Sequence, residues 1–264
     1  MSKVRISLSM EKGVLEKLDR EVDGKTILSR SEAAEKIIDR YISQKKKCVI
    51  LAGGKAENLR SGDRYRPLLL VNGKPLILDI TEKVRHAGYE NIIIIGSKEV
   101  LSSIFRVLGE SGIEYVEERE HLGTAKTIAL ARPKINQTFL FLPCDHYFEL
   151  DLVQMEQYHK QNKGVATLAV YSGKKYRWQT SSIVELEGNL ITSYVEHPKE
   201  SESFLTSLLI GFAEPEIFNY IPNAQLNYSL QEEVFTELAK KKKLVGYLFS
   251  GKWKNIHTKA DAKI

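Results

Sequence analysis

Val49-Ile-Leu-Ala52 is an unbroken apolar run that stops at a glycine pair, Gly53-Gly54. A short run that is apolar at every position reads as a strand buried on both faces. Such a strand needs neighbours on each side and covering layers above and below it. It therefore commits the chain to a sheet with helices packed on both faces. Glycines at its carboxyl end let the backbone approach a ligand, and loop amides there can face a phosphate. A polar loop with Arg60, Arg64 and Arg66 follows, and then Pro67-Leu-Leu-Leu-Val-Asn-Gly-Lys-Pro75.

Downstream, strand and helix signals alternate. Residues 75–88 read as a helix ending at glycine, 91–96 as a buried strand and 99–108 as a helix. A strand is expected at 113–116, and Leu122-Gly-Thr-Ala125 opens another helix. Thr138-Phe-Leu-Phe-Leu-Pro-Cys-Asp145 is the next buried strand and ends on a carboxylate. A helix at 152–161 and a strand at 165–171 follow, then a hairpin at 182–195, helical segments at 215–220 and 230–240, and a last strand at 244–249. Alternation of this kind predicts an α/β domain with a mostly parallel mixed sheet.

The segment before residue 47 is different. Val4, Ile6 and Leu8 alternate with Lys3, Arg5, Ser7 and Ser9, the period of a strand with one apolar face. A helix is expected over about residues 10–22, with Val14, Leu15, Leu18 and Val22 on one stripe. Ser29-Arg-Ser-Glu32 has capping-box spacing and opens a second helix reaching Ser43. A module of roughly 45 residues cannot bury a core alone, and a lone strand leaves its edges unpaired. Residues 1–47 hold 12 Lys/Arg and 8 Asp/Glu, which is +4 of the whole chain's +5. A basic module of this kind invites a nucleic-acid reading.

Two resemblances follow from these residues. Residues 1–46 resemble the ribbon-helix-helix DNA-binding domains, in which two strands pair across a dimer axis and enter the major groove. The resemblance implies a homodimer or higher even oligomer on a double-stranded DNA operator. It puts Lys3, Arg5 and Ser7 on base edges and Ser29, Arg30 and Ser31 on a phosphate.

Residues 47–264 resemble the sugar-1-phosphate nucleotidyltransferases, on Leu51-Ala-Gly-Gly54 and on Pro67 through Pro75. That family's loop reads Leu-Ala-Gly-Gly-x-Gly-Thr-Arg-Leu, then Pro-Lys-Pro-Leu-Leu-Pro-Val-x-Gly-Lys-Pro. The resemblance implies a Rossmann-like fold. It implies nucleotide contacts from Leu51, Ala52, Gly53, Gly54, Gly123, Thr124 and Ala125, and Mg²⁺ on Asp145 and on the position of Asn255. Arg66 takes the place of the motif lysine, and with Asp145 it is the candidate catalytic pair. Glu196 and His197 fall on the sugar-phosphate side, where the family has Glu-Lys-Pro.

Several chemical positions depart from the pattern. Asn58 stands where the family has its loop arginine, Asn255 where it has a second metal-binding aspartate, and the loop is two residues shorter than the longer family pattern. The N-terminal resemblance, taken with two neutral amides at charge-bearing positions, leads to the expectation of a dimeric DNA-binding regulator. Its second domain would sense a nucleotide or nucleotide sugar, with catalysis weakened or lost. The alternative is a working sugar-1-phosphate nucleotidyltransferase in which Arg60, Arg64 or Arg66 supplies the missing cation.

Composition narrows the rest. Apolar content of 42% and charged content of 28% are ordinary for a globular chain. No apolar run reaches the roughly 18 residues of a spanning helix. Cys48 and Cys144 fall in apolar strand contexts, which predicts buried thiols rather than a disulfide. A cytoplasmic location without membrane contact is the expectation.

Overall fold

A computed structural model describes residues 6–43, 46–172, 181–201 and 203–263. The chain falls into two compact units, residues 1–45 and 46–264.

The first unit has two helices, α1 (Lys12–Arg20) and α2 (Arg30–Ser43). Ser29 caps α2 by accepting from the Glu32 amide at 3.2 Å, while the Glu32 carboxylate reaches back to the Leu28 amide. Asp23 shapes the connecting turn by accepting the amides of Lys25, Thr26 and Ile27.

Among the described residues the expected strand is not seen. Lys3 and Arg5 lie outside the described residues, and Ile6 through Met10 have no regular structure. A ribbon needs a second strand to complete its ladder, and among the described residues of this chain none pairs with that segment. Arg30, expected on a phosphate, instead holds Asp19 of α1 through two nitrogens at 2.5 and 2.8 Å.

The second unit begins at β1 (Lys47–Ala52). Two short ribbons follow it, β2 (Arg60–Ser61) with β3 (Arg64–Tyr65) and β4 (Leu70–Val71) with β5 (Lys74–Pro75). Then come α3 (Leu76–His86), β6 (Asn91–Gly96), α4 (Lys98–Leu108), β7 (Ile113–Glu117) and α5 (Thr124–Ala129). Next are β8 (Phe139–Pro143), β9 (His146–Phe148), α6 (Leu152–Asn162), β10 (Ala166–Ser172), β11 (Ser182–Glu187) and β12 (Leu190–Glu196). The chain closes with β13 (Leu205–Ala213), α7 (Thr236–Lys240), β14 (Leu244–Phe249) and β15 (Trp253–Asn255).

Nine strands form one sheet in the order β10-β14-β12-β11-β13-β8-β1-β6-β7. β8, β1, β6 and β7 run parallel, and β13 joins β8 antiparallel. The all-apolar strands follow from this position. In β1, Cys48, Ile50 and Ala52 enter one core, under α3, α4 and α6, while Val49 and Leu51 enter the other, under α5 and α7. β6 and β8 alternate the same way, with Ile92, Ile94, Leu140 and Leu142 against Ile93, Ile95, Phe139 and Phe141. Each such side chain contributes about 1.5–3 kcal/mol by leaving water, so these strands tolerate no polar residue on either face. Both cysteines are buried and unpaired.

Parallel strands end at one edge. The carboxyl ends of β1, β6, β7 and β8 therefore place Gly53, Ser97, Glu118 and Asp145 along the same rim, where ligands of α/β sheets bind.

Candidate active site

The glycine pair lies against α5. A Cβ on Gly53 would sit 2.6 Å from the Thr127 side chain and 2.8 Å from Glu118 Oε2, so only glycine permits this approach. The Gly54 amide donates to the same Glu118 oxygen at 2.5 Å, and the Thr127 hydroxyl donates to the other. Glu118 is only 3% exposed. Sequence reading passed over this residue, which ties the glycine loop to α5. Its signal was an acidic pair, Glu117-Glu118, at the end of a strand.

Leu51 and Ala52 are buried inside β1, and Ala125 is buried inside α5. These three position the backbone around them. Gly123 takes φ +92° ahead of α5, and a Cβ there would meet the Tyr228 carbonyl oxygen at 2.5 Å. The Thr124 hydroxyl donates to Gln231 at 2.7 Å and accepts from the Leu230 amide. Gly123→Ala should lower stability by about 2–4 kcal/mol, from left-handed backbone strain plus a clash with fixed backbone. Gly54→Ala, also left-handed at φ +89° but with open space, should lose only about 1–2 kcal/mol. Urea denaturation of the two variants checks the difference.

The second half of the rim is built by β9 and β15, which pair antiparallel with Asn255 opposite His146. The Ile256 amide donates to the Asp145 carbonyl at 2.8 Å, which fixes this turn. Arg66 reaches the Asp145 carboxylate, Nη1 to Oδ2 at 3.1 Å, with both side chains mostly buried. Of the three loop arginines only this one meets Asp145. Arg60 and Arg64 are exposed, and the Arg60 guanidinium lies over the Tyr65 ring. Asn58 is also exposed, in the turn 56–59.

Burial lowers the His146 pKa against the opposing charge of Asp145. A neutral ring is thus favoured, and its Nδ1 accepts the Trp253 indole N–H at 3.4 Å. His257 is lowered by burial and by Arg66.

Two buried polar atoms on this rim have no hydrogen-bond partner, Arg66 Nε and Asn255 Oδ1. One is a cationic donor and the other a neutral oxygen. Together with the Asp145 carboxylate they fit a phosphate and a hard divalent cation. Mg²⁺ commonly takes one or two protein carboxylates and completes its shell with phosphate oxygens and water. Among the described residues no group of three or more His, Cys, Asp or Glu side chains stands ready to hold a metal alone.

Glu196 ends β12, and the Ser182 hydroxyl donates to it. His197 follows at φ +49°, with Nε2 3.5 Å from Glu196 Oε2. These two residues share a cleft of about 310 Å³ with Gly123, Thr124, Tyr228 and Gln231. A larger hollow of about 460 Å³ beside the β11–β12 hairpin, at Ile183, Glu185 and Val195, includes no part of the glycine loop or the Arg66–Asp145 pair.

Residues 47–261 match the family model described as nucleotidyl transferase. The chain belongs to the nucleotidyl transferase family. Among curated relatives, "Probable mannose-1-phosphate guanylyltransferase 3" of Arabidopsis thaliana is 29% identical across 72% of this chain and 60% of its own length. "Bifunctional protein GlmU" of Methanocaldococcus jannaschii is 27% identical across 79% of this chain and 50% of its own. This nucleotidyl transferase chain thus spans between half and two thirds of the length of either relative. A solved structure, the inositol-1-phosphate CTP transferase from T. maritima, superposes with a TM-score of 0.67 at 16% identity, covering 82% of this chain and 91% of that one. That likeness concerns the fold.

These findings overturn the expectation of a DNA-binding regulator with catalysis weakened or lost. The matched span covers nearly all of the second unit, and the relatives carry transferase names. No described feature of residues 6–43 supplies a DNA-reading strand. The neutral amides at 58 and 255 had suggested lost chemistry, but the rim keeps a cation and a carboxylate in contact through Arg66 and Asp145. No helix among the described residues is long and apolar enough to cross a membrane.

Proposed function

We propose that the second unit is a working sugar-1-phosphate nucleotidyltransferase, converting a nucleoside triphosphate and a sugar 1-phosphate to a nucleoside diphosphate sugar and pyrophosphate. The observation that carries this is the Arg66–Asp145 pair beside the unpartnered Asn255 Oδ1, at the carboxyl edge of the sheet.

In this reading a phosphate oxygen of the sugar 1-phosphate attacks the α-phosphorus. The bond to the bridging oxygen breaks, and its electron pair leaves with pyrophosphate. The nucleophile is already an oxyanion, so no general base is needed. What the protein supplies is alignment and positive charge.

The Gly53-Gly54 turn lets the triphosphate come close to the backbone. Arg66 lies at the reacting phosphates, where its unpartnered Nε–H finds an acceptor. Asp145 and Asn255 would hold Mg²⁺, which when bound adds charge neutralisation on the phosphate oxygens. Arg66, at the motif lysine position, would then be the cation this loop brings to Asp145, with Asn58 contributing no charge.

Pyrophosphate release tests this across the common nucleoside triphosphates, each paired with glucose 1-phosphate, mannose 1-phosphate and N-acetylglucosamine 1-phosphate. At least one pair should turn over at about 1 s⁻¹ or faster. Background rates on every pair would overturn the proposal.

A further inference from the structure

The Glu118 carboxylate under the glycine turn takes donors from three separate segments of the chain. Oε1 accepts the Thr127 hydroxyl of α5. Oε2 accepts the Gly54 amide at 2.5 Å and, from the other side, His121 Nδ1 at 3.1 Å. A carboxylate oxygen accepts, so the proton of this bond is carried on Nδ1. The Glu118 backbone is fixed as well, because its amide donates to the Gly96 carbonyl at 2.8 Å, at the end of β6.

His121 stands apart from the core. It lies between β7 and α5, in neither element, and its side chain is 29% exposed. The carboxylate that it reaches is 2% exposed. A surface ring therefore extends inward to one buried oxygen, and that same oxygen holds the glycine turn.

The turn needs such a restraint. Two consecutive glycines leave the backbone freer than any other pair. Gly54 takes φ +89°, and a Cβ there would meet nothing within 4 Å, so packing does not hold its peptide. The bond to Glu118 does. The terminal torsion of a glutamate is broad and roughly two-fold, however, so a carboxylate held at one oxygen can swing the other away. Thr127 holds Oε1, and His121 holds Oε2 toward the Gly54 amide. A turn ordered in advance spares the ligand the loss of freedom that ordering it would cost.

We infer that His121 is a positioning residue for the nucleoside triphosphate, acting through Glu118 to set the Gly53-Gly54 turn before the nucleotide binds. This inference rests on the transferase reading and assigns the residue to one of the two substrates. His121 contacts neither the reacting phosphates nor the sugar. Its loss removes binding that is equal in the ground and transition states, which raises KM and leaves kcat alone.

The test uses the full chain, with His121→Ala and His121→Asn as separate variants. Both change a surface side chain and leave the core intact. The asparagine amide nitrogen can stand near the place of Nδ1 and donate the same bond. In His121→Ala the KM for the best triphosphate should rise about tenfold, with kcat and the KM for the sugar 1-phosphate at wild-type values. His121→Asn should recover most of that loss. In the free protein, NMR should show the Gly54 amide exchanging with solvent faster in His121→Ala and near the wild-type rate in His121→Asn.

A triphosphate KM that is unchanged in His121→Ala, or that rises together with the sugar KM, would overturn the inference while the transferase reading stands. An unchanged Gly54 exchange rate would do the same. So would a loss that His121→Asn leaves in place, since that puts the ring itself on the substrate. If no pair turns over, the transferase reading fails by itself, and calorimetric titration with ATP, GTP, CTP, UTP and dTTP decides the role of His121. Weaker binding in His121→Ala that His121→Asn recovers would support it. Equal binding by wild type and His121→Ala, or no binding by either, would overturn it.

Discussion

Arg66→Ala should lower the rate of pyrophosphate release by about 10²–10³-fold, the usual effect of deleting one preorganised charge-stabilising contact. Of the three arginines in its loop, this one is brought to Asp145, and its Nε is buried without a partner. The same substitution leaves the Asp145 carboxylate, whose side chain is 12% exposed, without its cation. Stability should therefore fall as well, by up to about 3 kcal/mol.

The two effects separate in a double variant. Arg66→Ala with Asp145→Asn should recover much of the stability, because no buried charge is left unpaired, but none of the rate. Arg66→Lys should restore charge without the planar fork and recover the rate only in part. Initial rates and urea midpoints on the four proteins provide the check. An Arg66→Ala variant that keeps wild-type turnover would remove Arg66 from the site.

Asp145→Asn alone should be the more selective lesion. The amide oxygen still accepts from Arg66 Nη1, so stability should stay within about 1 kcal/mol of the wild type. Turnover should nevertheless fall by about 10²–10³-fold, because two neutral amides, at 145 and 255, would then face the divalent cation. The magnesium concentration giving half-maximal rate should rise in parallel, since hard cations favour charged oxygen ligands. Asn255→Asp should move that concentration the other way. A magnesium titration of the rate distinguishes these outcomes, and an unchanged midpoint in both variants would exclude Asp145 and Asn255 as cation ligands.

Much of the second unit was legible along the chain. After a polar first residue in β1 and β6, strands β1, β6 and β8 are unbroken apolar runs, and a run of that kind is stable only between two covering layers. The glycine pair after β1 and the carboxylate after β8 could be read as rim residues, because parallel strands end on one edge. β13 was not foreseen. Leu205–Ala213 is buried nearly throughout and borders β8, β10 and β11, so its sequence shows no alternation to separate strand from helix. In residues 230–240, where one helix was expected, a π-helical turn at Leu230–Phe235 leads into α7.

The N-terminal alternation of Val4, Ile6 and Leu8 begins outside the described residues, and among the described residues no strand pairs with Ile6 through Met10. Period two reports a face, whereas a strand also needs a neighbouring ladder.

By itself, then, the sequence determined the buried strands, the glycine turn and the family pattern, because these depend on local periodicity and on residue types at short spacing. Only the tertiary structure brought the Arg66 guanidinium onto the Asp145 carboxylate, set Glu118 under the Gly54 amide and aligned Glu196, Ser182 and Ser207. Those choices depend on strand register and loop closure between residues distant along the chain. A shift of one residue in β11 would turn Ser182 to the opposite face, away from Glu196 and Ser207.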